Sequence, residues 1–258
     1  MQGINTTAVN INNLGFAYNA SNGRSHRICE GLSLKIERQK IVALMGASGA
    51  GKSTLGRLLS GELSPRAGTI DWDIEFKDQK NRFYIDQDPA GVYSPWLTVA
   101  ANVREPLKVL RWPKKILLEW SEEIISQFEL ERLVDRFPIQ LSGGQKSRLA
   151  LARVLAWCPK AIILDEYLAD LDTVTRRKVM QILRDFVSKK EMTVIMISHA
   201  TSDVAALADR CLFFGGDPVK VIADIDVNKL RSEHDFLEVQ NNLDIQIAKA
   251  QYIQSQQT

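Results

Sequence analysis

The residues of this chain best suited to chemistry are Gly46-Ala47-Ser48-Gly49-Ala50-Gly51-Lys52-Ser53-Thr54. Gly46, Gly49 and Gly51 can take backbone angles closed to other residues, so successive N–H groups can converge on an anion. Lys52 would reach the β- and γ-phosphates of a nucleotide, and the Ser53 hydroxyl would ligate Mg²⁺. The bland alternative is a glycine-rich turn before an ordinary helix, and the flanking residues argue against it. Lys40 to Met45 is an apolar run of the length of a buried parallel strand. Leu55, Leu58 and Leu59 then recur at helical spacing, which sets the positive end of a helix behind the glycines. The segment is expected to bind a nucleoside triphosphate.

Three further stretches could act on that ligand. Lys160 to Glu166 is an apolar strand that ends in two carboxylates, and parallel α/β sheets bind ligands beyond such ends. Asp165 suits a Mg²⁺ shell, and Glu166 could polarise an attacking water as general base. A solvated acidic turn is the alternative, and the strand context opposes it. Thr193 to His199 is a second apolar strand with a polar end, which makes His199 a candidate γ-phosphate contact rather than a structural histidine. Leu141-Ser142-Gly143-Gly144-Gln145 precedes a helix over Lys146 to Trp157. Ser142 is a natural N-cap, and two glycines leave the first N–H groups unobstructed, so this is a second anion site.

The elements that must hold these residues form an α/β pattern. Strands are expected over 4–18, over Leu32–Ile36 and over Thr69–Phe76, the last two alternating polar with apolar as half-buried antiparallel strands do. A polar loop is expected over Asn19–Ser25, and Arg82–Pro89 is a short strand running into a loop. From Val99 to Leu133 the pattern is helical, broken by Pro106 and Pro113, with an apolar stripe through Ile116, Leu117, Trp120, Ile124, Ile125 and Phe128 that reads as core. A helix over Thr173–Lys189, another over 201–210 and a closing hairpin around Gly215-Gly216-Asp217 follow. The Gln-rich tail from about Asn241 is expected to be a frayed helix or disordered.

Composition narrows the class. The chain has 258 residues, 45% hydrophobic and 25% charged, which is ordinary for a soluble globular protein with ample core. A formal charge of +2 gives no argument for nucleic acid or an anionic membrane surface. No apolar run approaches the ~20 residues of a membrane span, and Met1 to Asn5 lacks a signal-peptide pattern. Cys29, Cys158 and Cys211 are scattered without metal-ligand spacing, as expected of thiols in a reducing compartment. A cytosolic protein is expected, with any membrane role acting through a partner.

Taken together the motifs resemble those of the ATP-binding-cassette (ABC) ATPases, over nearly the whole chain to about residue 224. Gly46 to Thr54 resembles the family's Walker A loop, and Leu141 to Gln145 matches its LSGGQ signature letter for letter. Ile162 to Asp165 with Glu166 resembles the Walker B strand and catalytic glutamate. The resemblance places Gln87 in the Q-loop, as a sensor of Mg²⁺ and the γ-phosphate that also touches the transport partner. It places His199 at the switch histidine and Asp172 at the last acid of the D-loop. Tyr18 falls where the family has a ring that stacks on adenine, with Phe16 as competitor for that role. One departure stands out: Tyr167-Leu168-Ala169-Asp170 replaces the usual Pro-Thr-Ser-Ala. Cross-dimer contacts of the D-loop could be altered there, and activity is still expected.

The resemblance implies an α/β P-loop NTPase (RecA-like) core with a small antiparallel β-subdomain and an inserted helical subdomain. The boundaries are a single ATPase domain over 1–240, with β-subdomain and core at about 1–88 and 158–225, helical subdomain at about 89–157, and a polar tail over 241–258. It implies ATP and Mg²⁺ as cofactors, a second ATPase subunit, a transmembrane permease and a solute-binding protein as partners, and a peripheral place on the cytoplasmic side of the membrane. Ser94 to Val99 with Asn102-Val103 resembles the nitrate, sulfonate and taurine importer ATPases. Gln87-Asp88-Pro89 and Arg104 to Leu107 resemble peptide and nickel importer ATPases instead, and the first resemblance is favoured. An exporter would use the same chemistry. A non-transport cassette is disfavoured by the lack of a second cassette or coiled-coil insertion, and a phosphate-loop kinase by the signature.

Overall fold

The computed structural model describes residues 6–19 and 25–255. The first five residues, the interior of the polar loop expected over Asn19–Ser25 and the last residues of the tail lie outside them. The chain divides into two compact units. One comprises Met1–Tyr84, Lys160–Glu166 and Val187–Thr258, and the other Ile85–Pro159 and Tyr167–Phe186.

In chain order the elements are β1 (Thr7–Asn19), β2 (Ser25–Glu37), β3 (Ile41–Gly46), α1 (Lys52–Ser60), β4 (Ala67–Trp72) and β5 (Arg82–Ile85). There follow α2 (Val99–Val109), α3 (Lys114–Gln127), α4 (Gly143–Ala156), β6 (Ala161–Asp165), α5 (Thr173–Lys190) and β7 (Thr193–Ile197). The chain closes with α6 (Thr201–Leu207), β8 (Arg210–Gly215), β9 (Lys220–Asp226), α7 (Val227–Glu233) and α8 (Phe236–Ser255).

The first unit carries a three-stranded antiparallel sheet in the order β2-β1-β4, and a six-stranded sheet in the order β5-β6-β7-β3-β8-β9. β3, β6 and β7 are buried at every position, which is why they read as unbroken apolar runs. β3 lies parallel between β7 and β8, and β7 lies parallel to β6. Leu44 and Asp165 both pair with Ile197, so the carboxyl ends of the three strands sit side by side. One apolar core joins Ile11, Leu32 and Ile36 to Val42, Leu55, Leu59, Ile195 and Ile197.

The strand expected to reach Phe76 stops at Trp72, and Ile74–Phe76 is a single 3₁₀ turn. Arg38 holds Asp73 at 3.0 Å, and the turn swings Phe76 back to stack on Trp72 at 5.6 Å between ring centroids. Phe76 is buried after all, but from a turn, so alternation alone overextended the strand. Of the two alternatives expected for the tail, a frayed helix or disorder, the structure shows helix. Residues from Asn241 continue α8 to Ser255, with Val239, Leu243 and Ile247 buried at four-residue intervals. Gln-rich composition masked that stripe.

In the second unit α2, α3 and α4 pack on one another. Pro106 was expected to break the first helix, yet it lies inside α2. A proline there leaves the carbonyl four residues earlier, that of Asn102, without its helical donor. Arg153 from α4 supplies one: its Nη1 donates to Asn102 O at 2.9 Å, while Nη2 pairs with Glu105. Pro113 sits just before α3, where the missing N–H costs nothing.

Asn102, fully buried, also ties down the preceding loop. Its Nδ2 donates to the carbonyls of Ser94, Leu97 and Thr98 at 3.0, 3.0 and 3.1 Å, and its Oδ1 accepts from Ser94 N at 2.8 Å. An Asn102→Ala change would take the side-chain partner from Ser94 N and Leu97 O, both in half-buried residues, each worth about 1–3 kcal/mol when left unpaired. The expected result is a loss of roughly 2–3 kcal/mol in denaturant unfolding. A shift below about 0.5 kcal/mol would return Asn102 to the class of replaceable residues.

Candidate active site

The phosphate loop connects β3 to α1 in the first unit. Gly46 has φ 148°, and a Cβ there would come 2.4 Å from Phe214 O. Gly51 has φ 72°, and a Cβ would meet Ile28 Cγ2 at 2.4 Å. Both positions therefore demand glycine for conformation and for space. Lys52 is 5% exposed, and its Nζ donates to Gly46 O at 3.0 Å and Ala47 O at 2.9 Å, which curls the loop around the ammonium. Burial pulls the Lys52 pKa down, opposed by the charges of Glu166 and Asp165. Ala47, Ser48, Gly49 and Ser53 are exposed, Ala50 is half-buried, and Thr54 is buried.

The strand ends bring the other candidates together. Asp165 closes β6 and is 4% exposed. Its Oδ2 accepts the Tyr84 hydroxyl hydrogen, while its Oδ1 is buried with no hydrogen-bond partner. Glu166 stands one residue beyond the strand in a left-handed conformation, φ 51°, with its N–H on Ile197 O at 3.0 Å. That backbone turns the side chain toward His199, whose Nε2 lies 2.9 Å from Glu166 Oε1. Tyr18 and Phe16 separate in role: Phe16 is core, whereas Tyr18 is 40% exposed. The two rings meet edge to face at 5.1 Å, and the Tyr18 hydroxyl reaches Thr54 Oγ1 at 3.4 Å.

The remaining candidates belong to the second unit. Ser142 caps α4 as expected, and Gln145 completes a reciprocal box: Gln145 N donates to Ser142 Oγ at 3.4 Å and Ser142 N to Gln145 Oε1 at 2.9 Å. Gly143 and Gly144 have no left-handed φ, and a Cβ on either would meet no atom within 4 Å. Gln87 donates from Nε2 to Asp170 Oδ2 at 3.2 Å, and both line one groove with Gly143 and Gly144. Asp172 caps α5, accepting from Val174 N and Thr175 N at 3.0 and 3.1 Å, and hydrogen bonds from Thr175 hold its pKa below the usual carboxylate value. Tyr167, buried, donates its hydroxyl hydrogen to Ser147 O in α4, and burial pushes its pKa up.

Sequence reasoning missed Tyr84, Asp170 and the capping role of Gln145. The Ser-x-x-Gln spacing was available for the last. Tyr84 and Asp170 left no local signal, because their partners lie 81 and 83 residues away along the chain.

The family profile described as "ABC transporter" matches residues 29–169. Over 220 residues the chain is 33% identical to the methionine import ATP-binding protein MetN of Nocardia farcinica, covering 82% of this chain and 64% of that protein. Over 238 residues it is 31% identical to the bicarbonate transport ATP-binding protein CmpC of Synechococcus elongatus, covering 89% of this chain and 35% of that protein. The chain thus spans less than two-thirds of the length of either relative. Among solved structures it is similar to a dimeric ATP-binding cassette in a post-hydrolysis state bound to ADP and Pi, with TM-score 0.73 and 26% identity over 85% of this chain and 98% of that one. Motif, fold and relatives agree, and the chain belongs to the ABC transporter family, whose ATP-binding domain it carries.

Proposed function

We propose that this chain is the ATP-hydrolysing subunit of an importer, working as one of two cassettes that close on ATP and drive a transmembrane permease supplied by a solute-binding protein. The observation that carries this reading is the bare start of α4. Nothing within the fold requires glycine at 143 or 144, yet both are present behind a capped serine. Unobstructed N–H groups at a helix start suit an anion brought from outside, here the γ-phosphate held in another copy's phosphate loop. The relative solved as a dimer with ADP and Pi supports the pairing.

Within one copy, Lys52 and the loop N–H groups would bind the β- and γ-phosphates, with Tyr18 stacking on the base. Glu166 would take a proton from the attacking water, and His199 would hold the Glu166 carboxylate in place and contact the γ-phosphate. The buried, unpartnered Asp165 Oδ1 fits a divalent cation, which Ser53 and Asp165 would hold. Mg²⁺ bound there supplies neutralisation of phosphate charge. Among the described residues no helix is long and apolar enough to cross a membrane, and the subunit would attach peripherally, through the permease on its cytoplasmic face. For the solute, the stretch Ser94 to Val99 with Asn102 favours the nitrate, sulfonate and taurine class.

The test is affinity capture of Glu166→Gln protein from host membranes in MgATP, with identification of what is retained. A polytopic permease is the expected catch, and its subfamily narrows the solute class. Retention of ribosomes, DNA or soluble proteins alone would leave the ATPase chemistry and overturn the transport reading.

A further inference from the structure

The two oxygens of the Asp165 carboxylate have unequal surroundings. Oδ2 accepts from Tyr84, and Oδ1, which is buried, accepts from nothing. A buried carboxylate oxygen without a donor is costly, so its persistence at a strand end needs a reason. Tyr84 itself is confined. Gly56 of α1 lies against one side of its ring, so close that a Cβ there would come 2.9 Å from Tyr84 Cε2. The guanidinium of Arg57 lies 5.7 Å from the ring centroid. A phenol clamped in this way presents its hydroxyl at one point, and the carboxylate that accepts from it loses the freedom to turn.

We propose that Tyr84 is a positioning residue for the metal–nucleotide complex: it engages one oxygen of Asp165 and thereby keeps the other aimed at the divalent cation. The proposal rests on the ATPase reading above. Partners of metal ligands that fix ligand orientation are typically worth about 10–100-fold in metal affinity. Tyr84 touches neither nucleotide nor metal in this scheme, so its effect must pass through Asp165. Metal-free ATP, held by Lys52 and the loop amides, should be indifferent to it.

The experiment uses full-length protein and Mn²⁺ as the probe, titrated by electron paramagnetic resonance in the presence of ATP, alongside ATP binding in EDTA. Tyr84→Phe keeps the ring and removes the hydroxyl. It is expected to weaken Mn²⁺ binding about tenfold while metal-free ATP affinity stays within twofold. On an Asp165→Asn background, the same change is expected to add nothing further. Unchanged Mn²⁺ affinity in Tyr84→Phe, with a clear loss in Asp165→Asn, would overturn the Tyr84 assignment and leave the site reading standing. Unchanged affinity in both variants would remove Asp165 from the metal site and take the proposal with it. An equal fall in metal-free ATP affinity, or a further loss on the Asp165→Asn background, would also sink it.

Discussion

Glu166→Gln protein is expected to hydrolyse ATP about 10²–10⁴-fold more slowly than the parent while binding ATP normally. The substitution keeps the side chain's size and an oxygen able to accept from His199 Nε2, now 2.9 Å from Glu166 Oε1, so the local geometry survives. What disappears is the basicity that would draw a proton from water. Because the phosphate loop and the glycine-bared start of α4 are untouched, closed dimers should accumulate with ATP. Phosphate release gives the rate, and light scattering in MgATP counts the dimers. Turnover within twofold of the parent would move the general base to another residue.

Lys52→Ala is expected to weaken ATP binding by about two to four orders of magnitude. Two charge-assisted contacts to phosphate oxygens, each worth roughly 1.5–3 kcal/mol, set the scale. Lys52 Nζ donates to the carbonyls of Gly46 and Ala47, so the side chain also shapes the loop around its own charge. Its loss removes both the cation and that shaping. The apolar core beneath the loop, including Leu55, Leu58 and Leu59, does not depend on it, so the protein should remain folded. Titration with a fluorescent ATP analogue measures the change, and a dissociation constant within threefold of the parent would dismiss Lys52 as a phosphate ligand.

Much of the first unit was legible because its signals are local. Buried parallel strands read as apolar runs, and Gly46 and Gly51 announce a conformation that side chains cannot share. The strand ends carrying Asp165, Glu166 and His199 follow from the same pattern. What escaped was non-local. Tyr84 meets Asp165 across 81 residues, and Gln87 meets Asp170 across 83, and no spacing rule encodes either pair. The unusual Tyr167 to Asp170 segment, expected to alter contacts with another subunit, also acts inside its own unit: Tyr167 anchors to α4 and Asp170 takes the Gln87 amide. An acidic acceptor there decides which end of that amide faces it and leaves the carbonyl oxygen turned away. The Ser94 to Asn102 pattern has a folding explanation as well, since Asn102 pins that loop by hydrogen bonds.

The proline inside α2 has a historical consequence. Asn102 O accepts from Arg153 because Pro106 offers it no N–H. A carbonyl oxygen has two lone pairs, so an arginine arriving first could share Asn102 O with an ordinary helical donor at no loss. A proline arriving first would strand a buried acceptor until the arginine appeared. Descent through this pair of positions therefore has a preferred direction, arginine before proline. Once both are in place the arginine is locked in, because reverting it alone recreates the stranded acceptor while reverting the proline alone does not.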